Sequence, residues 1–292
     1  MFPSAFEYSA PSSLGEALSL LKEVGDDGRV LAGGQSLIPM MKLRLAMPGH
    51  LVDINGVSEL DYIRDVNGHV AVGALTRHAQ VAASDLLSAT NHTVAACAPW
   101  VADPLVRNRG TMAGSIAHCD PEGDWNSVML AIGASVVARS ADGGERVIHI
   151  TDFLVDFFTN SLQPGEMVTE VRIPKYTGRG GGAYLKLERK IGDYATVGVA
   201  THLQLDDAGT ISDAGLGLTA VYQHNLKVTE AEQMMIGQTP SDELFAEAGA
   251  IAARTCEPED NVRGPADYKR AVVAEYTKRA FATALAQANG GQ

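Results

Sequence analysis

The stretch Arg29-Val30-Leu31-Ala32-Gly33-Gly34-Gln35-Ser36 passes from a short apolar run into two adjacent glycines and a serine. Paired glycines after a strand let the backbone take positive φ and come close to a ligand. Successive exposed N–H groups then grip an anion, helped by the positive end of a following helix. By itself the fragment reads better as a plain tight turn. Working outward, Leu37–Arg44 has the composition of a helical turn and Leu51–Ile54 of a second short strand. Upstream, Ser13 and Glu16 have capping-box spacing, and Leu14, Ala17, Leu18 and Leu21 follow at helical intervals. Gly25–Gly28 ends that helix. Residues 1–56 therefore read as a small α/β unit.

A second loop of the same kind is Thr111-Met112-Ala113-Gly114-Ser115, followed by Ile116 to Asp124. Its hydroxyls and N–H groups suit phosphate or ribose. Asp124 can accept from ribose hydroxyls, cap the helix carrying Val128, Met129 and Leu130, or do both. Arg107 and Arg109 can neutralise a pyrophosphate or sit in a solvated loop. Around this loop, strands are expected at His69–Ala74, Ser135–Ala138, Arg146–Ile150 and Val168–Ile173. Helices are expected at Thr76–Gln80, with Thr76 as cap, and at Val94–Val101. The glycine-rich Thr177–Gly182 is the sharpest composition break and marks a boundary. Beyond it, Ala183–Leu187, Val197–Leu205 and Ile211–Val221 read as strands, then three helices follow, an α+β pattern. Lys186, Arg189 and Lys190 cluster before a turn at Gly192-Asp193. Tyr194 can stack on a planar ring, or the segment is a strand with a charged outer face.

The 292 residues exceed what one core usually serves, so two or three domains are expected. Net charge is -12, which disfavours nucleic acid. The N-terminus lacks an export pattern and no apolar run has the length of a membrane span, so the expected location is cytoplasmic. Cys97, Cys119 and Cys256 are too few and too scattered for a disulfide framework, a four-cysteine zinc site or an iron–sulfur cluster. His118 and Cys119 are neighbours that point apart rather than a nucleophilic pair; His118 reads either as a contact to a ligand or partner chain or as an incidental polar loop residue. There is no metal-ligand spacing, P-loop, nucleophile elbow or G-x-G-x-x-G fingerprint.

In order and spacing these segments resemble the medium, FAD-binding subunit of molybdenum hydroxylases. That family includes carbon monoxide dehydrogenase and the flavin domain of xanthine dehydrogenase, within the vanillyl-alcohol oxidase / p-cresol methylhydroxylase flavoprotein superfamily. The resemblance runs from Phe6-Glu7-Tyr8 through Ala32–Pro39, Leu51–Asn55, Val72–Thr76, Arg107–His118, Asp120-Pro121 and Asp124 to Tyr184, Lys186 and Gly192–Ala195. It implies a two-subdomain p-cresol methylhydroxylase-type FAD-binding fold, residues 1–56 and 57–176. A C-terminal α+β domain, residues 177–292, would follow, a three-stranded antiparallel sheet with helices. It implies that Ala32, Gly33, Gly34, Gln35 and Ser36, with Leu37 and Ile38, hold the FAD diphosphate from one side. Thr111, Ala113, Gly114 and Ser115 would hold it from the other. Ala117, Asp120 and Asp124 match cofactor-contacting positions, and Val168 and Lys186 match positions near the adenine or isoalloxazine. Tyr194 matches an aromatic near the flavin ring. Two departures stand out: Ala113 replaces a usual glycine, and Gln35 replaces the histidine more frequent in carbon monoxide dehydrogenases.

The resemblance further implies molybdopterin on a large partner subunit and [2Fe-2S] clusters on a small one, in a dimer of heterotrimers. FAD here would receive electrons from the clusters and pass them to an external acceptor. The alternatives are a free-standing FAD-dependent oxidoreductase of the same superfamily, and a non-catalytic homologue that has lost FAD, for which Ala113 is the only support.

Overall fold

The computed structural model describes residues 2–291. In the first unit, β1 (Glu7–Ser9), α1 (Leu14–Val24), β2 (Gly28–Leu31), α2 (Leu37–Leu43) and β3 (His50–Asp53) form a parallel sheet ordered β1-β3-β2 with its helices. Ser13 caps α1 by accepting from Glu16 N, and Ala17, Leu18 and Leu21 are its buried stripe.

The second unit starts with β4 (Ile63–Val66) and β5 (His69–Gly73). Five short helices follow: α3 (His78–Ala82), α4 (Asp85–Thr90), α5 (His92–Cys97), α6 (Pro104–Arg107) and α7 (Met112–His118). Then come α8 (Asp124–Ile132), β6 (Ser135–Arg139), β7 (Glu145–His149), α9 (Ile150–Phe153), the hairpin β8 (Leu154–Asp156) and β9 (Thr159–Asn160), and β10 (Met167–Pro174). An antiparallel sheet ordered β4-β5-β10-β6-β7 carries this unit. Val70, Val72, Val136, Val171 and Ile173 form its apolar face.

In the third unit β11 (Arg179–Leu187), β12 (Val197–Leu205), β13 (Ile211–Thr219) and β14 (Leu226–Lys227) are antiparallel. The two-residue β14 adds a fourth strand to the three that the sequence suggests. Helices α10 (Thr229–Met235), α11 (Asp242–Thr255) and α12 (Ala266–Ala288) complete the unit.

Several local expectations shift. Arg77, not Thr76, occupies the cap position of α3, and the Thr76 hydroxyl donates to Tyr62 O instead. Gly123 holds the cap position of α8, with Asp124 one residue inside, where an acid still favours the helix dipole. The glycines that read as a composition break, Gly180–Gly182, lie inside β11. A Cβ at Gly181 would overlap the Ala284 carbonyl of α12, and one at Gly182 would overlap Thr93 Oγ1 of α5. Adjacent strand residues face opposite sides, so glycine here lets a helix approach each face of the sheet. Gly215 and Gly217 of β13 do the same for α8, whose Ala131 and Ser127 carbonyls occupy the space of their missing Cβ atoms. Every residue of α8 is buried, as expected of a helix held between two layers.

Candidate functional site

The two loops meet. A Cβ on Gly33 would lie 2.5 Å from Arg109 O, 2.6 Å from Gly110 Cα and 3.0 Å from Thr111 N. Gly34 has φ +70, where glycine carries no steric cost. A hydrogen-bonded chain ties the loops as well. Asn55 Nδ2 donates to Ala32 O (2.8 Å), and Arg77 donates to Asn55 Oδ1 (2.6 Å) and to Arg109 O (2.7 Å). Asn55 lies in a matched segment but had no role from sequence. Arg77 gave no signal there.

Between the loops opens a cleft of about 970 Å³, at the upper end of the roughly 300–1,000 Å³ usual for cofactor and ligand sites. Its walls bring together Ala32, Gly33, Gly34, Gln35, Ser36, Leu37, Thr111, Ala113, Gly114, Ser115, Ala117, Asp120, Asp124, Val168, Lys186 and Tyr194. Ile38 alone of the expected positions is outside them. It is the second residue of α2, and its side chain folds back over the Cα of Gly34. Arg107 and Arg109 are not cleft-lining either, and Arg107 is committed to the carbonyls of Val101 and Ala102.

Among the described residues, no acceptor takes the backbone N–H of Gly33, Gly34, Gln35, Ser36 or Leu37. On the opposite loop Thr111 caps α7 by accepting from Gly114 N (3.1 Å), while Met112 N donates to Thr76 O and Ser115 N to Thr111 O. Ala113 N stays without a partner among the described residues. Ala113 is helical and not a positive-φ position, so alanine carries no strain there. Buried or lining N–H groups without partners are costly, and five on the first loop with one on the second suit a diphosphate. The residues therefore fit FAD.

Deeper in the wall, Asp124 accepts from Tyr184 Oη (2.6 Å) and Lys186 Nζ (3.0 Å), and Lys186 also donates to Trp100 O (3.1 Å). Glu188 lies 3.6 Å from the same ammonium, and its Oε2 is buried without a hydrogen-bond partner among the described residues. Burial raises the Asp124 carboxyl, against the pull of Lys186 and the Tyr184 hydrogen bond. Lys186 thus separates from the basic cluster that the sequence suggests: strand alternation turns it inward, while Arg189 and Lys190 stay exposed beyond the strand end.

Of the other lining residues, His78, Phe158, Asn160 and Gln163 carried no sequence signal as binding groups. His78 is buried, and its Nδ1 accepts from Trp125 Nε1 (3.0 Å), which leaves the ring proton on Nε2. Burial, with Arg107 and Arg77 nearby, lowers it to about 4, so the ring is neutral. The hairpin and its continuation supply Phe158, Asn160 and Gln163, and Asn160 is fixed by donating to Ala117 O (2.7 Å). His118 packs on Phe158 (4.9 Å between rings) rather than on Cys119, whose thiol is pushed by burial to about 12. Tyr194 is half exposed at the cleft mouth, and burial with the Asp120 and Glu122 carboxylates pushes its hydroxyl up to about 12.

Two family models match the chain: the FAD binding domain in molybdopterin dehydrogenase over residues 4–176, and the CO dehydrogenase flavoprotein C-terminal domain over residues 182–284. The carbon monoxide dehydrogenase medium chain of Hydrogenophaga pseudoflava is 38% identical, covering 98% of this chain and 99% of the relative. The 6-hydroxypseudooxynicotine dehydrogenase complex subunit alpha of Paenarthrobacter nicotinovorans is also 38% identical, over 99% and 97%. A solved carbon monoxide dehydrogenase from Hydrogenophaga pseudoflava superposes with a TM-score of 0.94 at 40% identity, over 98% and 99% of the chains. The chain belongs to the family of medium, FAD-binding subunits of molybdenum hydroxylases, and it is an oxidoreductase component. None of the described helices is long and apolar enough to cross a membrane.

Proposed function

We propose that this chain holds one non-covalent FAD across the two loops and relays electrons within a heteromeric molybdenum hydroxylase. The observation that carries the reading is the pair of touching loops that line one cleft, with the N–H groups of Gly33–Leu37 and Ala113 left without acceptors among the described residues. The flavin supplies one- and two-electron chemistry when bound. The N–H groups of Gly33–Leu37 and Ala113, with the Ser36 and Ser115 hydroxyls, hold the diphosphate. Thr111 fixes the second loop, and Gly114 keeps it open to the ligand. Ala117 and Val168 line the apolar wall. Asp120, Asp124 and Lys186 orient the polar edges of the ligand, and Tyr194 covers a ring face at the mouth. Residues 1–56, 57–176 and 177–292 are the functional divisions.

Electrons arrive from [2Fe-2S] clusters on a small partner, downstream of a molybdopterin-bearing large subunit, and leave to an external acceptor. A cytoplasmic dimer of heterotrimers is the expected assembly. Two relatives of equal identity are named for substrates as unlike as carbon monoxide and 6-hydroxypseudooxynicotine. That supports placing substrate choice on another chain. The test is purification from the host. A coloured complex that releases yellow, non-covalent flavin on acid treatment and whose partners include a cysteine-rich small chain is expected. A colourless chain that takes up no FAD, or one that oxidises substrate alone, refutes the reading.

A further inference from the structure

Beside the cleft mouth lies a second, smaller hollow of about 280 Å³, lined by Arg189, Lys190, Asp193 and Arg263. Asp193 also borders the cofactor cleft, so the two spaces share an edge at the Lys190–Asp193 turn. Arg263 is its fixed floor: it donates to Glu122 (2.7 Å), lies 3.8 Å from Asp193, and sits over the Tyr194 ring at 5.9 Å. Glu122 and Asp193 therefore offset Arg263. Arg189 and Lys190 have no acidic partner within ion-pair distance among the described residues. Two uncompensated cations thus converge at the cleft mouth of a chain with net charge -12. Ile191 at the turn tip and Tyr194 present exposed apolar surface next to them.

We propose that this hollow docks the anionic group of the small-molecule oxidant that collects electrons from the flavin. The ligand class is a compact acceptor bearing a carboxylate, sulfonate or phosphate, or an anionic metal complex. The hollow is sized for one such group rather than for a protein surface. This rests on the electron-relay reading above.

The experiment uses the purified holocomplex with R189E/K190E, two exposed positions outside the cofactor cleft. The probes are trianionic ferricyanide and cationic phenazine methosulfate. In each turnover two ferricyanide ions take one electron each, the two-electron-reduced flavin returns to its oxidised form, and two protons go to solvent. Electrostatic steering at a focused site changes association by 10-fold or more. The variant is therefore expected to lose about tenfold or more in kcat/KM for ferricyanide at low ionic strength, mainly through KM. The loss should shrink toward about twofold near 0.5 M salt, where screening is short-ranged. Phenazine methosulfate should react as before or faster. Anaerobic bleaching of the flavin band by substrate, which reports electron arrival, should keep its rate. Equal losses for both acceptors, or no loss for ferricyanide, overturn the proposal. So does slowed bleaching or loss of the partner chains in the variant, which would assign Arg189 and Lys190 to subunit docking. Absence of bleaching in the parent complex would instead sink the relay reading and this inference with it.

Discussion

Replacing Lys186 with methionine removes the one cation from a buried group of two carboxylates. The Lys186 side chain is 1% exposed, and those of Asp124 and Glu188 are 7% and 9% exposed. Breaking a buried pair by deleting one partner typically costs about 3–5 kcal/mol, because the surviving charge stays desolvated. Asp124 retains the Tyr184 hydroxyl, but Glu188 Oε2 already lacks a partner, so a loss of about 3–5 kcal/mol is expected. The pH dependence fixes the cause. Burial already holds the Asp124 carboxyl above its ordinary range, and Lys186 opposes that rise. Without Lys186 the folded-state value climbs further. A carboxyl raised in the folded state favours folding at low pH, and that contribution is lost as pH rises from about 3.9 through the folded value. The K186M defect should therefore be larger at pH 8 than at pH 5, and D124N should relieve much of it. Urea unfolding of the FAD-free chain measures all three. A K186M loss under about 1 kcal/mol, or an equal loss at both pH values, refutes the buried-pair account.

Gly33→Ala should part the two loops, since all three nearest atoms are backbone; FAD affinity should fall by on the order of tenfold or more, about 1.4 kcal/mol per decade, and titration by flavin fluorescence within twofold of the parent would contradict it. His78 titrates at about 4 in the folded chain against about 6.5 unfolded. Stability should fall by about 3 kcal/mol as pH drops between those values; subtracting the profile of His78→Gln should isolate this slope, and a flat difference would count against it. Burial raises all three thiols, with Cys119 at about 12 and Cys256 at about 11. None should react with a disulfide reagent at pH 8 until denaturant is added; a thiol that reacts in the native chain contradicts this.

The two loops and Asp124 were legible only together, through their order and spacing along the chain, since by itself the first loop reads better as a plain tight turn. What escaped depends on packing between distant segments. Gly180–Gly182 looks like a linker until α12 and α5 are seen pressed against each side of β11. A lone histidine such as His78 is usually a core residue, and only the Trp125 hydrogen bond and the cleft show which nitrogen carries its proton. The Phe158–Gln163 wall has no spacing pattern that would place it opposite loops 40 or more residues away. Arg107 had the right charge in the right segment, yet nearby carbonyls claim it.

Helix α8 lies against β13 through Gly215 and Gly217, and its first residue holds Tyr184 and Lys186 of β11. Two family models divide the chain just before that sheet. A gene cut at residue 176 would leave α8, buried on every side in the whole chain, facing water along the face that the third unit covers, with Asp124 lacking its counter-ion and Ser127 its Thr219 partner. Each segment therefore presents the surface that the other must cover, and neither glycine of β13 leaves room for a side chain between them.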